Sequence, residues 1–170
     1  QLLRALAPYP VWWIEDPIPP ENTDAQAQVT ASSAVPIAAG ENRYRVREHE
    51  RLLRTGAVDI IAPDLPKVGG LRETRRIADV ADMHATPVAL HNVASPVATM
   101  AAVHLGAAIP NLLAVEFHSY QLGWWADLIG GSVIEAGQIP VPEGPGLGIT
   151  LDMDVVDAHR VPGSVLFDAA

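Results

Sequence analysis

The sequence predicts an α/β fold, with consecutive β/α units forming part of a (β/α)8 barrel, on three observations. Five short apolar runs alternate with helix-compatible stretches. Each run ends at an ionisable residue, in order Glu15, Glu41, Asp64, His91 and Glu116. The intervals between these residues are 26, 23, 27 and 25, near-constant as repeated units require. Strands alternating with helices imply a parallel sheet, either doubly wound or closed as a barrel. A doubly wound sheet gathers its ligand at one switch point, whereas all strand C-termini of a barrel open on one mouth. Successive strand ends carrying Glu, Glu, Asp, His and Glu make sense at a shared mouth, which selects the barrel.

The first strand is Val11-Trp12-Trp13-Ile14, a buried-type run stopped by Glu15-Asp16-Pro17. A helix is expected over Asn22–Ser33. The second strand, Val35–Ala39, ends at Gly40-Glu41-Asn42, and a helix over Arg45–Thr55 is closed by Gly56. Val58–Ala62 leads to Pro63-Asp64. Gly69-Gly70 then open a helix whose Leu71, Ile77, Ala78 and Ala81 fall near one face, ending near His84. Pro87–Leu90 ends at His91, and Ser95-Pro96 is expected to cap a helix running to Gly106. The fifth strand, Leu112–Val115, ends at Glu116. Beyond Gly123 the chain turns Trp-rich and then Pro/Gly-rich without clear periodicity, the pattern of an ordered excursion covering the barrel. A barrel needs eight units, so three are expected outside this chain. The start at Gln1, inside a helix-like segment, reads as a cut boundary.

Among 170 residues 49% are hydrophobic, enough for a sizeable core. The formal charge of -9, with 20 acidic against 11 basic residues and no Lys/Arg run, argues against a nucleic-acid partner. An anionic substrate would need a local cation here. The absence of cysteine excludes disulfides, thiolate catalysis and zinc–thiolate sites. No apolar run is long enough to span a membrane and no signal pattern opens the chain, so a cytoplasmic protein is expected.

Several carboxylates at one mouth repel one another unless a cation neutralises them. All-oxygen ligation points to a hard ion, Mg²⁺ in preference to Ca²⁺ or Zn²⁺, with Glu15 and Glu41 on adjacent strands as the ligands. A hydrogen bond from His91 to Asp64 on the preceding strand would fix the ring tautomer, leaving a base beside a metal-bound carboxylate. Glu116, opposite the metal, could donate a hydrogen bond in its protonated form to the developing charge. Taken singly, a strand-end Glu is usually a solvated or capping carboxylate, His91 could be a satisfied core histidine, and Glu116 could pair with a rim arginine. The constellation is what raises them. His104 falls on the apolar spacing of its helix and reads as packing. His49, His84 and His159 read as solvated, His118 as touching substrate or merely lining the mouth, and Trp124-Trp125 as a lid or packed anchor.

Trp13-Ile14-Glu15-Asp16-Pro17, Gly40-Glu41-Asn42, Pro63-Asp64-Leu65-Pro66-Lys67-Val68-Gly69-Gly70, the strand ending in His91, and Pro145-Gly146-Leu147-Gly148 resemble the enolase superfamily, specifically its mandelate racemase-like group, over nearly the whole chain. A Lys or His base with one or two Mg²⁺ ions is the known pattern of that superfamily and enters here as such. The resemblance implies Glu15 and Glu41 as Mg²⁺ ligands, Asp64 and His91 as the catalytic dyad, and Glu116 as a group acting on the substrate carboxylate. The muconate-lactonising branch is also similar, but places a lysine where Asp64 stands; Lys67 is three residues late. The resemblance further implies that residues 1–130 are the C-terminal part of the barrel and 131–170 a tail packing on it and on an N-terminal α+β capping domain. That domain, the first strands, a third metal ligand and the opposite face of the site would lie outside this chain. The implied partner is a small-molecule carboxylate, and a homo-oligomer is expected. The implied reaction is Mg²⁺-dependent α-proton abstraction leading to dehydration of a sugar acid. Racemisation or epimerisation through the same first step is the alternative, and a non-catalytic binding barrel a third reading.

Overall fold

The structure is a computed structural model describing residues 1–118 and 122–164. Five parallel strands lie side by side in chain order: β1 (Ile14–Glu15), β2 (Ile37–Ala39), β3 (Ile60–Ile61), β4 (Val88–Leu90) and β5 (Leu112–Val115). Helix α1 (Leu2–Leu6) precedes them. The connections carry α2 (Thr23–Ser32), α3 (Arg45–Arg54), α4 (Leu65–Val68), α5 (Leu71–Met83) and α6 (Pro96–Ala108). This is the α/β order that the repeated units require: each crossover advances the sheet by one strand.

Successive residues of a strand face opposite sides. On the outer side Ile61, Val88 and Leu90 pack against Leu52, Ile77 and Leu105 of the helices. Burying such a side chain completely contributes about 1.5–3 kcal/mol. On the inner side Ala38, Ile60 and Ala89 form a small cluster with Trp13 against it. The ladder of β5 on β4 is irregular: Leu112 pairs with Val88, but Ala114 with Ala89 and Val115 with Leu90. One extra residue, Leu113, is thereby inserted into β5, a β-bulge.

Local chemistry sets the helix ends. The Asn22 side chain accepts from Ala25 N at 3.0 Å. Glu73 on α5 accepts from Val46 N at 3.0 Å, capping the first turn of α3 from a neighbouring helix. Ser95 precedes Pro96 as expected, but its hydroxyl makes no capping bond; its carbonyl instead receives Thr99 N at 3.0 Å. Helix α6 also passes Gly106, its expected end. A Cβ there would lie 3.0 Å from Leu112 Cδ2, so the glycine marks the close approach of α6 to β5. Strand β1 is displaced towards Glu15 relative to the expected Val11–Ile14 run. Among the described residues it has a neighbouring strand on one side only, and Asp16 at φ 42° ends it.

After β5 come a 3-10 turn at Asp127–Ile129 and helix α7 (Met153–His159). The His104 ring contacts the Leu147 carbonyl at 3.1 Å, and Leu147 packs against the outer core. Trp124 stacks on His159 with centroids 4.2 Å apart. Residues 165–170 of the expected 131–170 tail lie outside the described residues. Among the described residues no helix is long and apolar enough to cross a membrane.

Candidate active site

All five residues singled out from the sequence lie at or just past the C-terminal ends of the strands. Strand alternation aims three of them inward. Glu15 pairs with inner Ala38; Asp64 and His91 form a parallel bridge beyond β3 and β4, with His91 two residues after inner Ala89. Glu41 and Glu116 need backbone irregularities. Glu41 follows Gly40, which has φ 148° and approaches so closely that a Cβ would sit 3.0 Å from the Ala62 carbonyl oxygen. Glu116 follows the bulge, without which it would share the outward parity of Leu112.

His91 is at the centre. Its Nδ1 lies 2.9 Å from Asp64 Oδ2, in a buried contact. The other oxygen, Asp64 Oδ1, accepts from Lys67 N at 2.9 Å as the N-cap of α4. With one oxygen held by a helix N-terminus, the other has a fixed direction towards the imidazole. His91 Nε2 meets Glu41 Oε2 directly and lies 3.7 Å from Glu116 Oε2. Glu116 Oε2 in turn accepts from Asn92 N at 2.9 Å. Glu41 Oε1 accepts from Asn42 Nδ2 at 2.7 Å, and the same amide reaches Asp16 Oδ2 at 3.3 Å. Thus β2, β3 and β5 each send a carboxyl side chain to the one ring that β4 carries.

Glu15 stands slightly apart, accepting from Trp13 Nε1 at 3.2 Å. Solvent reaches this residue, yet protein crowds its carboxyl and pushes the pKa up from its ordinary value; the Trp13 bond opposes this and the Glu116 charge adds to it. Glu15 and Glu116 sit on the opposite edge strands of the five-stranded sheet. Asp16 is also raised, by burial first and by the Glu41 charge second. The mouth is therefore an acidic cluster whose charge is only partly met, by Lys67 Nζ at 3.8 Å from both Glu41 Oε1 and Asp64 Oδ2.

The family model described as enolase C-terminal domain-like matches residues 1–155. The chain belongs to that family. A D-xylonate dehydratase of Haloferax volcanii is 59% identical to this enolase-like chain over 169 residues, 99% of this chain and 41% of that protein. A D-galactarolactone cycloisomerase of Agrobacterium fabrum is 33% identical over 160 residues, 88% of this chain and 42% of that protein. A solved structure, the mandelate racemase/muconate lactonizing enzyme-like protein of Rubrobacter xylanophilus, superposes with a TM-score of 0.91 at 43% identity, covering 98% of this chain and 43% of that one. The enolase-like chain thus spans about 41% of the length of the dehydratase relative.

Enolase-superfamily members generally use Mg²⁺. The donor chemistry of the enolase-like mouth fits such an ion: Glu15 and Glu41 are hard oxygen donors on neighbouring strands, at a mouth where burial first and like charge second raise the pKa of Glu15 and Asp16. The set is partial, since among the described residues no three His, Asp or Glu side chains converge on a metal-ready point. Sequence reasoning missed Asn42, Lys67 and Asn92 as neighbours of these groups, although Asn42 and Asn92 directly follow Glu41 and His91. It also read His49 as solvated. The structure corrects this: His49 is fully buried, its Nδ1 2.9 Å from the Arg45 carbonyl and its Nε2 3.2 Å from that of Gly40. The apolar cavity of about 260 Å³ lined by Phe117, Trp125 and Ile129 holds none of the five site residues.

Proposed function

We propose that the protein removes the α-proton of a sugar-acid carboxylate with a His91–Asp64 dyad and expels the β-hydroxyl as water. The observation that carries this reading is the 2.9 Å Asp64–His91 contact at the strand ends, with Nε2 turned to the carboxylates of Glu41 and Glu116. The named activity of the 59% identical relative supports dehydration, and makes D-xylonate the first substrate to try.

Asp64 accepts Nδ1–H, which leaves the Nε2 lone pair to take the proton from C2. The C–H electron pair passes into the carboxylate, giving an enolate. Glu116, held 3.7 Å from Nε2, borders the site where that charge grows, and Glu41 accepts from the new Nε2–H. Collapse of the enolate breaks the C3–O bond. The proton held at Nε2 goes to the departing hydroxide, which leaves as water, and the enol tautomerises to the 2-keto-3-deoxy acid. Mg²⁺ held by Glu15 and Glu41 would supply positive charge beside the substrate carboxylate.

The test is incubation of the native protein with Mg²⁺ and D-xylonate, D-gluconate or D-galactonate in D₂O, followed by NMR. The 2-keto-3-deoxy acid should form from at least one, and His91→Asn should lower its rate by at least about a hundredfold. Deuterium entering C2 without loss of water would replace dehydration by racemisation or epimerisation. Neither product nor exchange with any of the acids would overturn the reading.

A further inference from the structure

We infer that Asn92 is a positioning residue that holds Glu116 against His91. Its consequence for catalysis rests on the function proposed above; its geometry does not. Asn92 is 3% exposed and uses all three of its N–H donors. The backbone N–H goes to Glu116 Oε2 at 2.9 Å. Nδ2 donates to the Glu116 carbonyl at 3.0 Å and to Thr99 Oγ1 at 2.8 Å. The Thr99 hydroxyl donates onward to the Ser95 carbonyl at 3.4 Å, which turns its lone pairs towards Asn92.

One buried residue therefore grips Glu116 at both its backbone and its carboxylate, and ties them to the start of α6. The grip is needed because Glu116 follows a bulge and has a half-exposed side chain with several rotamers open to it. Asn92 is covalently next to His91, so the anchor of the acid and the ring of the base move as one unit. Fixing Oε2 on the Asn92 amide sets its 3.7 Å separation from His91 Nε2. Removing the Asn92 side chain frees the amide to turn, and the carboxylate goes with it.

The experiment uses the native protein with Mg²⁺ and D-xylonate. Asn92→Ala should lower kcat about tenfold to a hundredfold, the scale of a small misplacement of a reacting group, and change KM by less than about threefold. Combined with Glu116→Gln, it should cost less than about threefold further, because the group it positions is already lost. Thr99→Val should lower kcat in the same direction, and Thr99→Ser, which keeps the hydroxyl, should recover most of that loss. An equal loss from Asn92→Ala with and without Glu116→Gln would make Asn92 a general fold support and overturn the inference. A crystal structure of Asn92→Ala gives a readout independent of turnover. Displacement of the Glu116 carboxylate from His91 supports the inference, and an unmoved carboxylate overturns it, even if the wild-type protein turns over no sugar acid and the proposed function has failed. Should Asn92→Ala not fold, the Thr99→Val structure decides by the same displacement.

Discussion

Replacing Asp64 by Asn keeps shape and volume but forces a choice of direction. In the wild type one carboxylate oxygen accepts from Lys67 N and the other from His91 Nδ1, both at 2.9 Å. An amide has one acceptor. The Lys67 N–H can only donate, so the substituted side chain must turn its amide oxygen there and its NH₂ towards His91. Nδ1 then becomes the acceptor, the proton moves to Nε2, and the nitrogen that should take the substrate proton has no free lone pair. Were the change merely the loss of a charge-assisted hydrogen bond, it would cost about 1.5–3 kcal/mol, roughly a tenfold to hundredfold loss of rate. A trapped tautomer costs far more, about 10⁴-fold in a serine protease, or about 5.4 kcal/mol of barrier. The assay is kcat for D-xylonate dehydration by Asp64→Asn, with circular dichroism to verify the fold. A loss below about a hundredfold refutes the tautomer argument, since the hydrogen bond alone then accounts for it.

Mg²⁺ should stabilise the protein as well as activate it, because it neutralises carboxyls that burial first, and neighbouring carboxylates second, make costly to ionise. At about 100 times its dissociation constant it adds about 2.7 kcal/mol to the unfolding free energy. This gain should disappear with EDTA and in Glu15→Gln or Glu41→Gln; denaturation curves identical with and without Mg²⁺ would sink the ligand assignment. A second pH effect comes from His49, whose pKa burial pushes below the usual 6.5. Hydrogen bonds to the Arg45 and Gly40 carbonyls and the Glu48 charge oppose this, while the Arg43 charge assists it. The unfolded ring takes its proton near pH 6.5 and the folded ring resists. Stability is therefore full above that pH and falls as pH drops through the folded value. Urea titrations from about pH 7.5 to 5 should show this fall, and His49→Gln should flatten part of it; an unchanged slope would refute the assignment.

The strands were legible as short apolar runs stopped by punctuation, and the longer helices because they run for ten or more residues between clear start and stop signals. Helix α4 was not: its four residues are too few to show a period, and Pro66 sits inside it. Helix α7 buries none of its residues, so it carries no apolar stripe to read. The case of His49 differs, because the signal was present. Val46, His49, Leu52 and Leu53 fall on one helical face at spacings of three and four, and the structure packs that face inward. The surrounding arginines and glutamates masked it, since average polarity says nothing about which face turns to the core.

For the candidate site, the even intervals between Glu15, Glu41, Asp64, His91 and Glu116 identified the right strand ends but could not say which side of the sheet each residue faces. Side chains alternate along a strand, so one residue more or less reverses the answer. Glu15, Asp64 and His91 follow from alternation once the pairing is known. Glu41 faces His91 through the turn at Gly40, a glycine whose φ of 148° and contact with Ala62 leave no room for a side chain. Glu116 faces it because Leu113 is an extra residue in β5. Neither device leaves a periodic trace: a bulge is a property of two paired strands, and the sequence shows one strand at a time. The same bulge explains why Asn92 was missed. Its partners are the backbone and carboxylate of Glu116, which come within reach only when β5 slips by one residue against β4. What alternation alone would assemble is a carboxylate–imidazole pair with Glu15 slightly apart; the two irregularities bring the remaining carboxylates to His91 Nε2.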